Sequence, residues 1–310
     1  MGRAWHTIRH RIKGHSYFYS FRIIILLMLP VIFITGFEME LLSTQLFLRK
    51  LESNGINYDA FRELKLAEDT LQQAQKRIEE LQEEHPRLDQ GDGIDDNAYL
   101  TFSMLAASFD LYDNKLVNEE LFLKGMKRIG ATQGYRRLYR YYNAILGDIE
   151  YFPIPRIEGD TEDVSYIDTW SNLRSYGGSR RHEGCDIMAK NNIRGYYPVI
   201  SITEGVIEKM GWLEQGGYRI GIRSPSGGYF YYAHLNSYSA ELQIGDTVIA
   251  GQLLGFMGDS GYGSEGTVGQ FDVHLHLGIY IETSAGELSV NPYYVLKILE
   301  KNRPTYQSLP

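Results

Sequence analysis

Residues 273–281 read Val-His-Leu-His-Leu-Gly-Ile-Tyr-Ile, with His274 and His276 spaced two apart in an alternating run. Side chains two apart on a strand face the same side, so this is a β-strand that presents two imidazoles together. Working backwards, short β-branched and aromatic runs at 197–202, 205–210, 218–222 and 229–234 are separated by glycine-containing turns. No long helix fits between them, and only Pro292 to Glu300 turns helical near the end. The spacing predicts a mostly β C-terminal domain over 156–310, antiparallel and sandwich- or barrel-like.

The polar residues of this β region gather in recognisable positions. His182-Glu183-Gly184-Cys185-Asp186 could offer a nitrogen from His182 and an oxygen from Asp186 to one metal ion, with the small Gly184 allowing a bend between them. With the His274/His276 strand this makes three protein ligands available, and a catalytic zinc keeps three such ligands plus an open position. His234, at the end of Tyr229-Phe230-Tyr231-Tyr232-Ala233, adds a further imidazole on another β-segment. Each histidine taken singly reads as a hydrogen-bonded structural residue; four in these positions point to a site. Cys185 sits next to Asp186 on a strand and so faces away from whatever Asp186 faces, as a small core thiol. Glu183 is out of register for an H-E-x-x-H helix and reads as a surface charge. The glycine-rich run 258–266 lacks the Lys-Ser/Thr ending of a phosphate loop and reads as a groove wall.

Residues 176–293 resemble the lysostaphin/LytM-type zinc endopeptidases of bacterial peptidoglycan. The resemblance rests on Tyr176-Gly177-Gly178, the H-x-G-x-D stretch at 182–186 with its intervening residues, Tyr232-Ala233-His234-Leu235, Ile244-Gly245-Asp246 with Gly251-Gln252, and His274-Leu275-His276. It implies one zinc per chain held by His182, Asp186 and His276, with His234 and His274 as the catalytic pair that handles the proton of an attacking water and the developing oxyanion. It further implies hydrolysis of peptide bonds in stem peptides or cross-bridges, with a peptidoglycan peptide as substrate; an inactive relative that binds a protein partner, as a scaffold or hydrolase activator, is the alternative. Two departures touch substrate fit: Phe271-Asp272-Val273 stands where the family usually has Gly-Pro, and Arg181 replaces a common glycine.

Upstream, Pro153-Ile154-Pro155 and the acidic residues after it mark a linker. Residues 97–155 read as amphipathic helices followed by that linker, with Leu100, Met104, Leu105, Phe109, Leu121, Phe122, Met126 and Ile129 on apolar faces and a tyrosine-rich run at 135–142. Residues 38–96 read as a helical stalk: Leu64, Ala67, Leu71, Ala74, Ile78 and Leu81 form a stripe that His85-Pro86 ends. That stripe suits packing within the chain, or a coiled-coil homodimer through residues 59–84. The aspartates at 89–96 do not fit a calcium loop and suit a solvated turn with a helix cap. With no convergent titratable groups, the whole helical region reads as a spacer or regulatory arm.

At the N-terminus Arg3, Arg9, Arg11, Lys13 and Arg22 face no acidic residue, and residues 23–37 carry no charge. Residues 1–22 then read as a basic cytoplasmic segment, and 23–37 as a transmembrane anchor of about 22 Å that flanking aromatics extend, with a cleaved signal peptide as the other reading of the same layout. The remainder lies outside, on the cell-wall side of a single-pass membrane protein. The net charge of −8 hides an asymmetry, since the five N-terminal cations leave −13 on that remainder, which argues against nucleic acid as a partner. Apolar content of 43% and charged content of 23% are ordinary globular values, and the lone Cys185 leaves stability to packing and metal.

Overall fold

The computed structural model describes residues 56–85, 94–159, 163–176, 178–240 and 242–306, with scattered helical residues between 26 and 49. Contacts divide the chain into Met1–Asn54 and Gly55–Pro310. Among the described residues of the first unit, Leu26, Met28 and Leu29 are exposed. No helix among the described residues is long and apolar enough to cross a membrane; most of the anchor expected at 23–37 lies outside the described residues.

The second unit begins with helices α1 (Tyr58–Glu63), α2 (Thr70–Glu84), α3 (Asp96–Ala106), α4 (Glu119–Ile129) and α5 (Gln133–Leu146). Four start on side-chain caps that satisfy free backbone N–H groups: Asn57, Asp95, Asn118 and Thr132 each accept from the residue three positions on. The stripe from Leu64 to Leu81 does not form one helix. Leu64 takes a left-handed backbone (φ 49°) and Lys65–Leu66 (β1) pairs in parallel with Asp110–Leu111 (β2). Leu64 and Leu66 are almost wholly buried there, and that burial outweighs the ~1–2 kcal/mol of left-handed strain. Only Ala74, Ile78 and Leu81 of the stripe lie buried on α2, which packs against α3 of the same chain. The face suggested for a dimer is thus covered internally.

Helix α5 packs through its buried tyrosines and leucines onto the sheet, in contact with β14 (His274–Thr283). The tyrosine-rich run is core and cap: Tyr142 is fully buried, Tyr135 donates to the Ala98 carbonyl at 2.8 Å, and Tyr139 donates to Asp95 at 2.6 Å. Phe152 and Ile154 in the linker are buried in the same cluster, which runs without a break from Phe61 to Leu299. Polar ties cross as well. Arg62 donates to Ser289 at 2.9 and 3.0 Å, and Asp148 accepts from the backbone and hydroxyl of Ser226 at 2.8 and 3.0 Å.

Among the described residues ten strands form one sheet, antiparallel at every pairing. Its main path runs Thr247–Val248 (β12), Gly205–Leu213 (β9), Gly217–Arg223 (β10), Tyr229–Tyr238 (β11), β14, Cys185–Ala189 (β7) and Val164–Ser165 (β4). Leu253–Met257 (β13) joins β11 to Pro198–Ile200 (β8), Gly286–Val290 (β15) pairs with β14, and apart from this sheet Arg156–Ile157 (β3) pairs in parallel with Thr305–Tyr306 (β16). On β14 the odd residues Leu275, Leu277, Ile279 and Ile281 enter the core while His274, His276 and Tyr280 line a groove on the opposite face. A mostly β region preceded by helices is the architecture the sequence predicts, closed by Tyr293–Leu299 (α6) where a terminal helix is expected.

Candidate active site

Register places the central residues. His276 on β14 stands opposite Asp186 on β7 and opposite Ala233 on β11, so the floor of the groove is set by backbone pairing and not by loops. His182 immediately precedes this arrangement, after the short pair Leu173–Arg174 (β5) and Arg180–Arg181 (β6). Its Nε2 lies 2.9 Å from His276 Nδ1 and 3.1 Å from Asp186 Oδ1, and His276 Nδ1 lies 3.1 Å from the same oxygen. Donors on a tetrahedral zinc with bonds near 2.0–2.1 Å stand about 3.3 Å apart, so the triangle has the dimensions such an ion needs. His182 Nδ1–H donates to the Thr169 carbonyl at 3.0 Å, which turns the Nε2 lone pair inward.

Gly184 owes its place to space and not to a bend. It has no left-handed backbone, but a Cβ there would stand 2.4 Å from the His276 ring and 2.5 Å from the Leu277 carbonyl. Burial pushes the Asp186 carboxyl up, yet the neighbouring imidazoles of His182, His276 and His274 prevail and hold it far below the usual carboxylate range. Burial also lowers His276, against the pull of Asp186, and favours the neutral imidazole that a ligand must be.

His234 reaches the groove by an irregularity. On β11 Tyr229, Tyr231 and Ala233 line the groove while Phe230 and Tyr232 enter the core, so regular alternation would bury His234. The β10 pairing shifts by one residue between Tyr218 and Ile220, and His234 adopts φ 62°. This bulge re-aims the ring. Nδ1–H then donates to the Ser260 carbonyl at 2.7 Å, and the ring centroid lies 4.7 Å from that of His274. Burial, followed by the neighbouring His274 and His276, lowers His234 well below the ordinary imidazole value. His274 Nδ1–H donates to the Asp272 carbonyl at 2.7 Å, and its Nε2 is 3.8 Å from Asp186 Oδ1.

All five residues singled out in the sequence therefore meet in one groove of roughly 610 Å³. His182, Asp186 and His276 form the group that could hold a metal, with donor atoms within 4.8 Å of one another. Cys185 points into the core, its thiol pushed up by burial, and Glu183 is exposed at the rim. Phe271, a departure from the expected pattern, packs on His234 and His274 at 4.6 and 5.0 Å between centroids.

Sequence reasoning missed Arg174, which donates to Asp186 Oδ2 and lies 3.1 Å from His182 Nδ1. No local signal marks it, because β5 brings it there only by pairing with β6. Tyr231 and Tyr280, also missed, were discoverable: both alternate with core residues on strands already read as such.

Comparison with known proteins agrees with the resemblance. Residues 180–292 match peptidase family M23. The chain is 37% identical over 209 residues to the L-Ala–D-Glu endopeptidase of Bacillus subtilis, a match covering 67% of this chain and 61% of that protein. It thus spans about three fifths of that relative's length. Lysostaphin of Staphylococcus simulans is 31% identical over 102 residues, 32% of this chain and 19% of lysostaphin. A solved structure from Ruminococcus gnavus, described as a candidate glycyl-glycine endopeptidase lytM, is 41% identical with TM-score 0.67, covering 85% of this chain and 99% of that one.

Proposed function

The chain belongs to peptidase family M23, and on that premise we propose that its groove is a zinc-dependent endopeptidase site that hydrolyses peptide bonds in peptidoglycan stem peptides or cross-bridges. One observation carries the reading. Two imidazole nitrogens and a carboxylate oxygen converge at 2.9–3.1 Å, a cluster of lone pairs that repel one another unless a proton or a cation lies between them. His182, Asp186 and His276 would hold the ion, which would supply Lewis-acid polarisation of the scissile carbonyl and of the attacking water.

The remaining steps belong to the chain. His234 and His274 each fix Nδ1–H on a backbone carbonyl, which leaves Nε2 as the acceptor. A neutral His234 can take a proton from the water, and either ring, once protonated, can donate to the oxyanion or to the leaving amine. Tyr231 and Phe271 wall the site and restrict water around the reacting atoms.

Purified full-length chain tests this directly. Metal content should be near one zinc per chain, and muropeptides should be cut at a single bond type identified by mass analysis. The name of the Bacillus relative makes L-Ala–D-Glu the first bond to examine. A protein that binds zinc but cuts peptidoglycan from no wall type would replace the enzyme with a binding module. The same reading includes a membrane anchor at 23–37 that holds the groove on the wall side, motivated by the basic and then uncharged N-terminal sequence.

A further inference from the structure

The groove does not end at the metal-binding residues. Gly211 stands opposite Arg219, Ala233 opposite His276, and His276 opposite Asp186. At the bulge Tyr218 faces Leu235 and Ile220 faces Tyr232, which brings Arg219 level with the Ala233–His234 pair. Arg219 therefore shares a row across the sheet with the metal-binding residues, two strands from His276 and separated from it by the small Ala233.

Arg219 is short of partners. Its Nη1 is buried without a hydrogen-bond partner, and it forms no ion pair among the described residues. Arg180 has a buried Nε in the same condition, and both arginines act on the Tyr231 hydroxyl. Lys209, over the Tyr229 ring at 5.3 Å, lines the same end of the groove. The acidic rim residues Glu183 and Glu287 act on Tyr280, and Glu287 also reaches Tyr229, but neither forms an ion pair with these cations among the described residues. A chain of net charge −8 thus gathers three cations that form no ion pair among the described residues along one cleft. Guanidinium nitrogens left without acceptors in a ligand groove are matched by a carboxylate, which can engage two of them at once.

We infer that the groove takes an anionic peptide, in which a carboxylate within about three residues of the scissile bond docks on Arg219, as two strand spacings of ~4.8 Å allow. Arg180 and Lys209 add charge at that end. The inference rests on the groove being a peptide-cleaving site and specifies what it selects.

The test uses the zinc-loaded full chain and a dye-labelled Ala-Glu-Lys tripeptide, γ-linked at glutamate, with twins amidated at the glutamate α-carboxyl or at the C-terminus. Cleavage of longer peptides carrying the same acid and amide pair is measured alongside. The free acid should be preferred at least about tenfold, mostly through KM, and whichever twin loses the preference identifies the carboxylate that is read. Arg219→Gln should bring the acid-to-amide ratio toward one, and Arg219→Lys should restore part of it. Binding of the labelled acid to the chelator-treated chain should weaken with salt and with Arg219→Gln. Equal handling of acid and amide by the wild type, or an unchanged ratio in Arg219→Gln, overturns the inference. Arg219-dependent binding of the acid without cleavage of any peptide supports the carboxylate site and instead overturns the catalytic reading. If Arg219→Gln does not fold, the wild-type ratio and Arg219→Lys decide.

Discussion

His234 holds φ 62°, a conformation that costs a non-glycine residue of order 1 kcal/mol and persists only when its surroundings impose it. Here the imposition comes from the bulge and from two hydrogen bonds, the ring to Ser260 and the backbone N–H to the Gly216 carbonyl at 2.8 Å. The proposed roles separate by substitution. Ala at His182, Asp186 or His276 leaves two ligands and should strip zinc at sub-stoichiometric chelator, with activity lost alongside it. Ala at His234 or His274 should keep about one zinc per chain while lowering turnover by about 100-fold or more. If His274→Ala loses zinc and His276→Ala keeps it, the two histidines exchange roles; the 3.1 Å approach of His276 to Asp186, against 3.8 Å for His274, favours the assignment given. Gly184→Ala drives a methyl group into the His276 ring and should weaken zinc affinity by about tenfold or more in a folded protein, read by competition with a chromogenic chelator.

At the scale of elements, two contacts make separable predictions. Helix α4 lies so close to α3 that a Cβ on Gly125 would meet the buried Phe102 ring at 2.1 Å. Gly125→Ala should therefore destabilise by about 1–3 kcal/mol through overpacking, despite its better helix propensity, and denaturant unfolding will show the sign. At the other end of the chain, Arg303 donates to both oxygens of Asp163 at 3.0 and 2.6 Å and to the Ile154 carbonyl at 2.7 Å. Burial raises the Asp163 carboxyl, but the Arg303 bonds prevail and depress it. A depressed carboxylate stabilises the fold above its unfolded pKa near 3.9, and that contribution is lost as pH falls through the lower folded value. Asp163 is 44% exposed, so solvent screening limits the effect to about 1 kcal/mol. Asp163→Asn should cost that much at pH 7 and close to nothing in acid below the folded value, measured by chemical denaturation across pH.

For the whole molecule, the continuity of the core changes what truncation should do. The helical region reads in sequence as a separable arm, whereas Leu138, Tyr142 and Ile145 of α5 belong to the same buried cluster as Leu277 and Ile279 of β14. Each such side chain contributes about 1.5–3 kcal/mol when buried. A fragment of residues 156–310 should therefore melt at least roughly 10 °C below residues 55–310, or fail to stay soluble, by calorimetry at matched zinc. The same melting temperature for both would restore the arm to a spacer. Topology is tested separately: external protease on wall-stripped cells should remove the β region and spare a tag at Met1, and an accessible Met1 tag would reverse the orientation.

The sequence by itself determined the β region, the helical region before it and the five polar residues of the site. The regions are written in local periodicity, and four of the five residues in pairs two or four apart, where strand and loop geometry alone places side chains near one another; His234 is legible only as the end of its strand. Asp186 and His276, ninety positions apart, are brought together only by strand pairing. Tertiary structure decided the rest. It broke the Leu64–Leu81 stripe, because β1 finds its partner at Asp110–Leu111, forty-five positions away and invisible to a window of one helix. It swung His234 out of the alternation of its strand, delivered Arg174 to Asp186 through a hairpin, and set Arg219 in the row of the proposed metal-binding residues through a bulge. Each depends on register between distant strands, and a shift of one residue reverses which face a side chain takes. Local sequence fixes the period of a strand, but only the assembled sheet fixes its phase.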